Sequence, residues 1–309
     1  MGAPAENKTY QEIIEEFGEI TDFSGFGTDD SALKHILCDA ILHAEGYPTA
    51  DAWAEEWLNQ EEPFLNHKFW IPVLNSFCRI RAEGIVPREA GKGNMASSSS
   101  TMCISPLGII NAANPRQAAL ETYDVASLIH HNFCRDAACS MAAAVAEAFH
   151  PEASVDSILR AAVDYLPPKS AYTMREFIKE TLVLAQEAGD YKAFRAHYYK
   201  ERLLPGIAMP DSRETVPVAL SLFYLANGEP QQTILFGANF GRDADTIASM
   251  AGALAGAFRG ASALPQSWIE KVKAESPRAH GKVATALVDV IIKRTQDMSE
   301  RIKAIESLF

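Results

Sequence analysis

A chain of 309 residues has room for one large domain or two smaller ones, and 48% hydrophobic with 22% charged residues is the balance of a globular protein with a substantial core. The formal charge of −12 and pI near 5.2 argue against a general nucleic-acid or anionic-membrane binder, while leaving room for a nucleotide held in a local pocket. Five cysteines (Cys38, Cys78, Cys103, Cys134, Cys139) are odd in number and form no C-x-x-C pair, so a disulfide framework or zinc ribbon is not expected and a reducing compartment is. Met1 opens a short polar segment with no leader-like apolar run, and no stretch reaches membrane-spanning length. A cytoplasmic location is the expectation.

Met1–Glu6 reads as a loop, followed by a weak amphipathic pattern from Tyr10 to Phe17. Helical spacing of Leu33, Ile36, Leu37, Ala40, Ile41 and Ala44 predicts a helix over Ser31–Ala44. A second is expected over Ala50–Leu58, where Trp53 and Trp57 at i, i+4 read as packing rather than a stacking platform, and a third over Phe69–Ala82. Asn114 and Pro115 have the chemistry of a helix start, with the helix running to His130. Further helices are expected at Arg135–Phe149, at Val155–Leu166 (stopped by Pro167-Pro168), at Thr173–Glu187 and at Tyr191–Tyr199. An irregular link, Leu204–Pro210, leads to a helix over Glu214–Ala226 with Pro217 in its first turn, and Thr233–Gly237 leads on to an acidic cluster. The apolar Ile247–Phe258, then Pro265–Ala274 and Gly281–Leu308, complete the set. Strand alternation, repeats and a dividing linker are all missing from this pattern, which predicts one all-α domain.

Two clusters stand out. Asn239-Phe-Gly-Arg-Asp243-Ala-Asp245-Thr246 opens the Ala/Gly-rich helix, and Thr28-Asp29-Asp30-Ser31 opens the helix after Ser24-Gly-Phe-Gly27. Asp and Thr are ordinary N-caps, because their side chains accept the free N–H groups of a first turn; each cluster alone reads as an overdetermined cap. One cap suffices per helix, however, and surplus carboxylates at the mouth of an apolar helix are costly unless paired, hydrogen-bonded or metal-bound. Converging, the two clusters would make an all-oxygen site suited to Mg²⁺, Mn²⁺ or Ca²⁺. The segment Gly91–Met102, with its run of four serines, is either a surface loop or a nest of backbone N–H groups able to cradle phosphate; its passage straight into Ile104–Ile110 favours a substrate-facing loop.

The pair T-D-D and G-x-D-x-D-T before an Ala/Gly-rich helix resembles the ADP-ribosylglycohydrolase family over nearly the whole chain. The resemblance implies an all-α, orthogonal multi-helix domain in which Thr28, Asp29, Asp30, Asp243, Asp245 and Thr246 hold two Mg²⁺ (or Mn²⁺) ions beside a ribose. Gly2–Glu6 resembles the family's G-x-P-x-E segment, which makes Glu6 a catalytic or metal-linked candidate and places the chain's start where a family helix would end. Asp30 or Glu6 would be the general base. Gly93, Asn94, Met102, Pro106 and Gly108 match the family's G-N-G-x-x-M-R-x-x-P-x-G segment, with a serine insertion and Cys103 where Arg is common. Gly93, Asn94, Ser100, Met102 and His130 are therefore substrate-binding candidates; His130, preceded here by Ile129 rather than Thr, also has a plain structural reading. Many relatives read G-G-D-T-D-T where this chain has Arg242 and Ala244. Arg242 would bind a phosphate or fill the space a diphosphate needs. The implied reaction is hydrolysis at C1 of a ribose, releasing ADP-ribose from a modified protein or small acceptor. The alternatives are hydrolysis of smaller ribosyl N-glycosides and a non-catalytic, ADP-ribose-binding or structural relative of the lens-crystallin kind.

Overall fold

The computed structural model describes the chain apart from residues 24, 204–208 and 277. Most of the expected link Leu204–Pro210 thus lies outside the described residues, as does Ser24 of the glycine-rich approach. The described residues are helical with no strand; a single isolated bridge pairs Lys8 with Arg242. In chain order the helices are α1 (Tyr10–Phe17), α2 (Asp29–His43), α3 (Ala50–Asn59), α4 (Glu62–Leu65), α5 (Ile71–Ala82), α6 (Pro87–Ala90), α7 (Ser105–Ile110), α8 (Pro115–Val125) and α9 (Phe133–Ala148). They continue as α10 (Val155–Asp164), α11 (Tyr172–Ala188), α12 (Tyr191–Glu201), α13 (Ser212–Leu225), α14 (Pro230–Ala238), α15 (Ala244–Arg259), α16 (Gln266–Glu275) and α17 (His280–Glu306).

Local chemistry sets many of these boundaries. Thr9 and Glu12 form a reciprocal capping box on α1, and Ser154 with Ser157 forms another on α10. Asp190 caps α12 by accepting from Lys192 and Ala193, and Gly189, at φ +71, ends α11 in the left-handed conformation. The expected helix from Pro115 to His130 is shorter: it ends at Val125, a 3-10 turn occupies Ala126–Leu128, and His130 follows outside it. Asn114 caps its start as expected, accepting from the Gln117 N–H at 3.2 Å. Pro217 lies inside α13 rather than in its first turn, because that helix begins at Ser212, capped by Asp211. The weak amphipathic pattern at Tyr10–Phe17 is α1, whereas the short helices α4, α6 and α7, and α14, were not legible as helices from spacing.

Helix α9 is the centre of the core. Nearly all of Ala137–Ala148 is buried, and α7, α8, α10, α13 and α15 pack around it. Small residues permit this. A Cβ on Gly108 would sit 2.6 Å from the Val145 Cβ, and one on Gly237 would meet the Ala248 Cα at 2.6 Å, so α14 and α15 close into a tight hairpin. Trp53 and Trp57 belong to an aromatic cluster with Phe64, Phe69 and Phe77, as packing residues.

The loop that joins α14 to α15 is clamped from three sides. The Asn239 amide exchanges hydrogen bonds with the backbone of Ile20 at 2.8 Å each way, the Arg195 guanidinium donates to the Asn239 carbonyl at 2.6 Å, and the Tyr199 hydroxyl donates to the Phe240 carbonyl at 2.8 Å. The chain's start crosses this loop. The Arg242 N–H donates to the Lys8 carbonyl at 2.6 Å and the Asn7 N–H to the Arg242 carbonyl at 2.9 Å, while Gly2 lies so close to α15 that a Cβ would come within 2.4 Å of the Ala244 oxygen. Residue 6 is thereby brought beside residues 243 and 245.

Candidate metal centre

Both acidic helix starts converge. Thr28 and Asp243 occupy the N-cap positions of α2 and α15, yet neither side chain caps its helix. The capping explanation of these residues therefore does not describe them. The Thr28 hydroxyl instead donates to Asp30 Oδ2 at 3.2 Å, and the Thr246 hydroxyl points to the same oxygen from α15 at 3.5 Å. Carboxylate oxygens of Asp29, Asp30 and Asp245 lie within 4.8 Å of one another, and so do those of Glu6, Asp243 and Asp245, making Asp245 common to both groups.

Burial makes this arrangement expensive without a counter-charge. Asp30 is 1% exposed, Asp243 5% and Asp245 8%. Asp30 Oδ1, Asp243 Oδ2 and Asp245 Oδ1 have no hydrogen-bond partner among the described residues. Desolvation, then the charges of Asp245 and Asp29, push the Asp30 carboxyl up to about 8. Asp243 is raised well above the ordinary carboxylate range by burial, then by Asp245 and Asp30. Asp29 is raised by burial and by Asp245, against the pull of its own and Asp30's N–H groups and of Lys68; Glu6 is raised by burial, Asp245 and Asp29. Clustered acids with orphaned buried oxygens and two hydroxyls, and no nitrogen or sulfur donor among them, fit hard divalent cations.

A cleft of about 520 Å³ opens beside the acids. Glu6, Asp29, Asp243, Asp245 and Thr246 are among its lining residues; Thr28 and Asp30 are not, Asp30 being joined to the lining through Thr246. Ser98, Ser99 and Met102 bring the serine segment to the cleft, and the remaining lining includes Asn7, the turn His67–Trp70, Met209 and Pro210. The serine run is buried rather than a free surface loop: Ser98 donates to the Pro210 carbonyl at 2.8 Å, and Ser212 donates to the Ser97 carbonyl at 2.8 Å.

Other substrate-binding candidates stand apart from the cleft lining. Asn94 is buried as a staple, its amide donating to the carbonyls of Pro72 and Ile129 at 2.9 Å and to Ser76. His130 is fully enclosed, with Nδ1 2.8 Å from the Ser100 hydroxyl and Nε2 3.2 Å from both Ser97 Oγ and the Met95 carbonyl. Burial lowers its pKa to about 4, leaving a neutral imidazole that holds the serine segment. Gly93 is exposed at φ +77, with open space around it. Arg242, at φ +63, makes a bidentate ion pair with buried Glu214 (2.8 and 3.2 Å) and turns neither toward the acids nor into the cleft lining. Asn7, His67, Lys68, Phe69, Trp70, Met209 and Pro210 escaped the sequence reading, since nothing in their spacing marks a turn as a cleft wall.

Such an all-helical body, with two helix N-termini joining their Asp and Thr side chains at a cleft, defines a class of proteins with an all-oxygen site of the kind a hard cation suits. The particular family follows from comparison. The ADP-ribosylglycohydrolase family model matches residues 1–301, and the chain belongs to that family of glycohydrolases. Among similar proteins, ADP-ribosylhydrolase ARH3 of Homo sapiens is 26% identical over 273 residues, covering 78% of this chain and 73% of that one. ADP-ribosylarginine hydrolase Tri1 of Pseudomonas putida is 25% identical over 257 residues, covering 81% and 63%. An Escherichia coli protein, YegU, is 26% identical over 277 residues, covering 84% and 79%. A solved structure described as an ADP-ribosylglycohydrolase-related protein complex shares the fold, at TM-score 0.69 and 19% identity over 94% of this chain and 91% of that one. Among the described residues, no helix is long and apolar enough to cross a membrane.

Proposed function

We propose that the protein is a Mg²⁺-dependent ADP-ribosyl glycohydrolase that cleaves the bond at C1 of a ribose, releasing ADP-ribose from a modified protein or a small acceptor. The observation that carries this is the convergence of Asp30, Asp243 and Asp245, each with an orphaned buried oxygen, on a cleft of nucleotide size. Thr28, Asp29, Asp30, Asp243, Asp245 and Thr246 would hold two Mg²⁺ ions, or Mn²⁺ in their place, leaving the Glu6 carboxylate free beside them. Bound there, the cations would supply positive charge that orients ribose hydroxyls and acidifies a bound water.

The chain's own groups do the rest. Breaking the glycosidic bond builds positive charge on the sugar, and the carboxylates of Asp29, Asp243 and Asp245 at the cleft wall stabilise it. Asp30 and Glu6 were both candidates for the base. Asp30 is enclosed, with Thr28 and Thr246 on one oxygen, so its role is to hold ligands in place. Glu6 is exposed, lines the cleft and has a raised pKa, so it is placed to take the proton of the attacking water. The non-catalytic alternative has no use for this many converging oxygen ligands. The small-riboside alternative is favoured if Arg242 obstructs a diphosphate; the pairing of Arg242 with Glu214, outside the cleft lining, counts against that.

The test is ADP-ribose release from arginine- and serine-linked peptides, with Mg²⁺ and with EDTA, by wild type, Asp245→Asn and Glu6→Gln. Metal-dependent release that Asp245→Asn abolishes and Glu6→Gln lowers by roughly 10²–10⁴-fold in kcat supports the reading and names the linkage. No release from either peptide, with Mg²⁺ still bound, would sink release from a modified protein and favour the small-riboside alternative.

A further inference from the structure

We infer that the turn Asn66–Trp70 recognises the nucleotide part of the ligand, with Lys68 taking a phosphate and Trp70 stacking on the base. This rests on the ADP-ribosyl reading above. The turn joins α4 to α5, and it is built to be rigid. The Asn66, His67 and Lys68 N–H groups donate back to the carbonyls of Glu62, Phe64 and Pro63 at 3.0–3.1 Å, and His67 adopts a left-handed φ of +52. Phe69, 4% exposed, pins the turn to the aromatic cluster, its ring 4.7 Å from that of Phe64, which in turn lies 5.0 Å from Trp57 and 4.6 Å from Phe77.

With Phe69 anchored, its two neighbours are presented to the cleft. Trp70 is 43% exposed there, a large aromatic surface that the fold itself leaves uncovered. Lys68 is exposed and lines the same cleft as Asp29. The cleft lining is otherwise acidic or uncharged apart from His67, in a chain of net charge −12. A diphosphate entering that field needs a cation, and Lys68 supplies it at the acid-facing wall. Alternate residues of one short turn lie roughly 7 Å apart at most, so a single nucleotide can touch both.

The experiment uses the full chain with Lys68→Ala, Lys68→Arg, Trp70→Ala and Trp70→Phe. ADP-ribose and ribose 5-phosphate are titrated calorimetrically, and kcat and KM are measured on the linkage the wild type cleaves. Lys68→Ala should weaken both ligands by roughly three- to thirty-fold, with Lys68→Arg recovering most of the loss. Trp70→Ala should weaken ADP-ribose by about ten-fold and leave ribose 5-phosphate unchanged, with Trp70→Phe intermediate. In the two alanine variants the losses should fall on KM, with kcat held within two-fold. If the wild type cleaves ADP-ribosyl peptide and all four variants bind ADP-ribose equally well, this inference is overturned while the glycohydrolase reading stands. A fall in kcat at constant KM would overturn it too, by placing the turn in the chemistry. A wild type that neither binds nor releases ADP-ribose would overturn both.

Discussion

At the scale of single residues, Arg242 shows how a side chain beside a site can belong to the scaffold. Its guanidinium grips Glu214, whose side chain is only 3% exposed, while its own backbone, at φ +63, bridges to Lys8. Removing the cation strands a buried carboxylate. Arg242→Ala is therefore expected to cost roughly 3 kcal/mol in urea denaturation, and adding Glu214→Gln should recover part of that by removing the unpaired charge. A single variant as stable as wild type would show that the pair contributes nothing. Cost at this site would reach catalysis indirectly, because Arg242 also ties Lys8, and with it the Glu6 segment, to the start of α15.

At the scale of elements, the serine segment is organised by His130. Its imidazole lies within hydrogen-bond reach of Ser97, Ser100 and the Met95 carbonyl, and the segment's Ser98, Ser99 and Met102 then face the cleft. A buried histidine whose pKa falls from 6.5 to about 4 must stay neutral to remain inside. The unfolded chain takes up the proton first. Stability from this group is thus complete above pH 6.5 and is lost as pH falls towards 4, by roughly 3 kcal/mol in all. His130→Asn should be less stable at pH 8 but show a shallower decline of Tm between pH 7 and pH 4 than wild type. His35 is also lowered to about 4 and contributes to the slope of both proteins, so the difference between the two curves is the measurement. Parallel curves would refute the assignment.

For the molecule as a whole, the acid cluster sets function against stability. Burial of several carboxylates at one point is unfavourable until a cation joins them, so metal should act as a folding ligand. At Mg²⁺ a hundred-fold above its Kd, the folded state should gain about 2.7 kcal/mol over the EDTA-treated protein. Asp30→Asn removes one buried charge. In EDTA it should melt above wild type, by an amount equivalent to roughly 1–2 kcal/mol, and it should lose most of the Mg²⁺-dependent shift. A variant that keeps the full shift would remove Asp30 from the ligand set.

Much of this protein was legible without coordinates. Periodicity located most of the long helices, because a 3.6-residue repeat of apolar positions is a local property of the chain, and the ordinary caps at Asn114 and Pro115 behaved as local chemistry dictates. The surplus of Asp and Thr at two helix starts was also visible, and it signalled a cost that local structure could not explain. Tertiary structure alone decided where those groups meet. Residues 28–30 and 243–246 are brought together by the packing of α2 and α15, and Glu6 by a backbone bridge, none of which leaves a spacing in the sequence. The plain structural reading of His130 is the one the fold bears out, but single sequence positions gave no sign that Asn94 would be consumed by internal hydrogen bonds, or that Arg242 would turn to Glu214. A polar side chain's role depends on which partners the fold delivers to it. The turn at Lys68 and Trp70 is the same case in reverse, unremarkable as sequence and a cleft wall only because Phe69 is anchored among aromatics contributed by α3, α4 and α5.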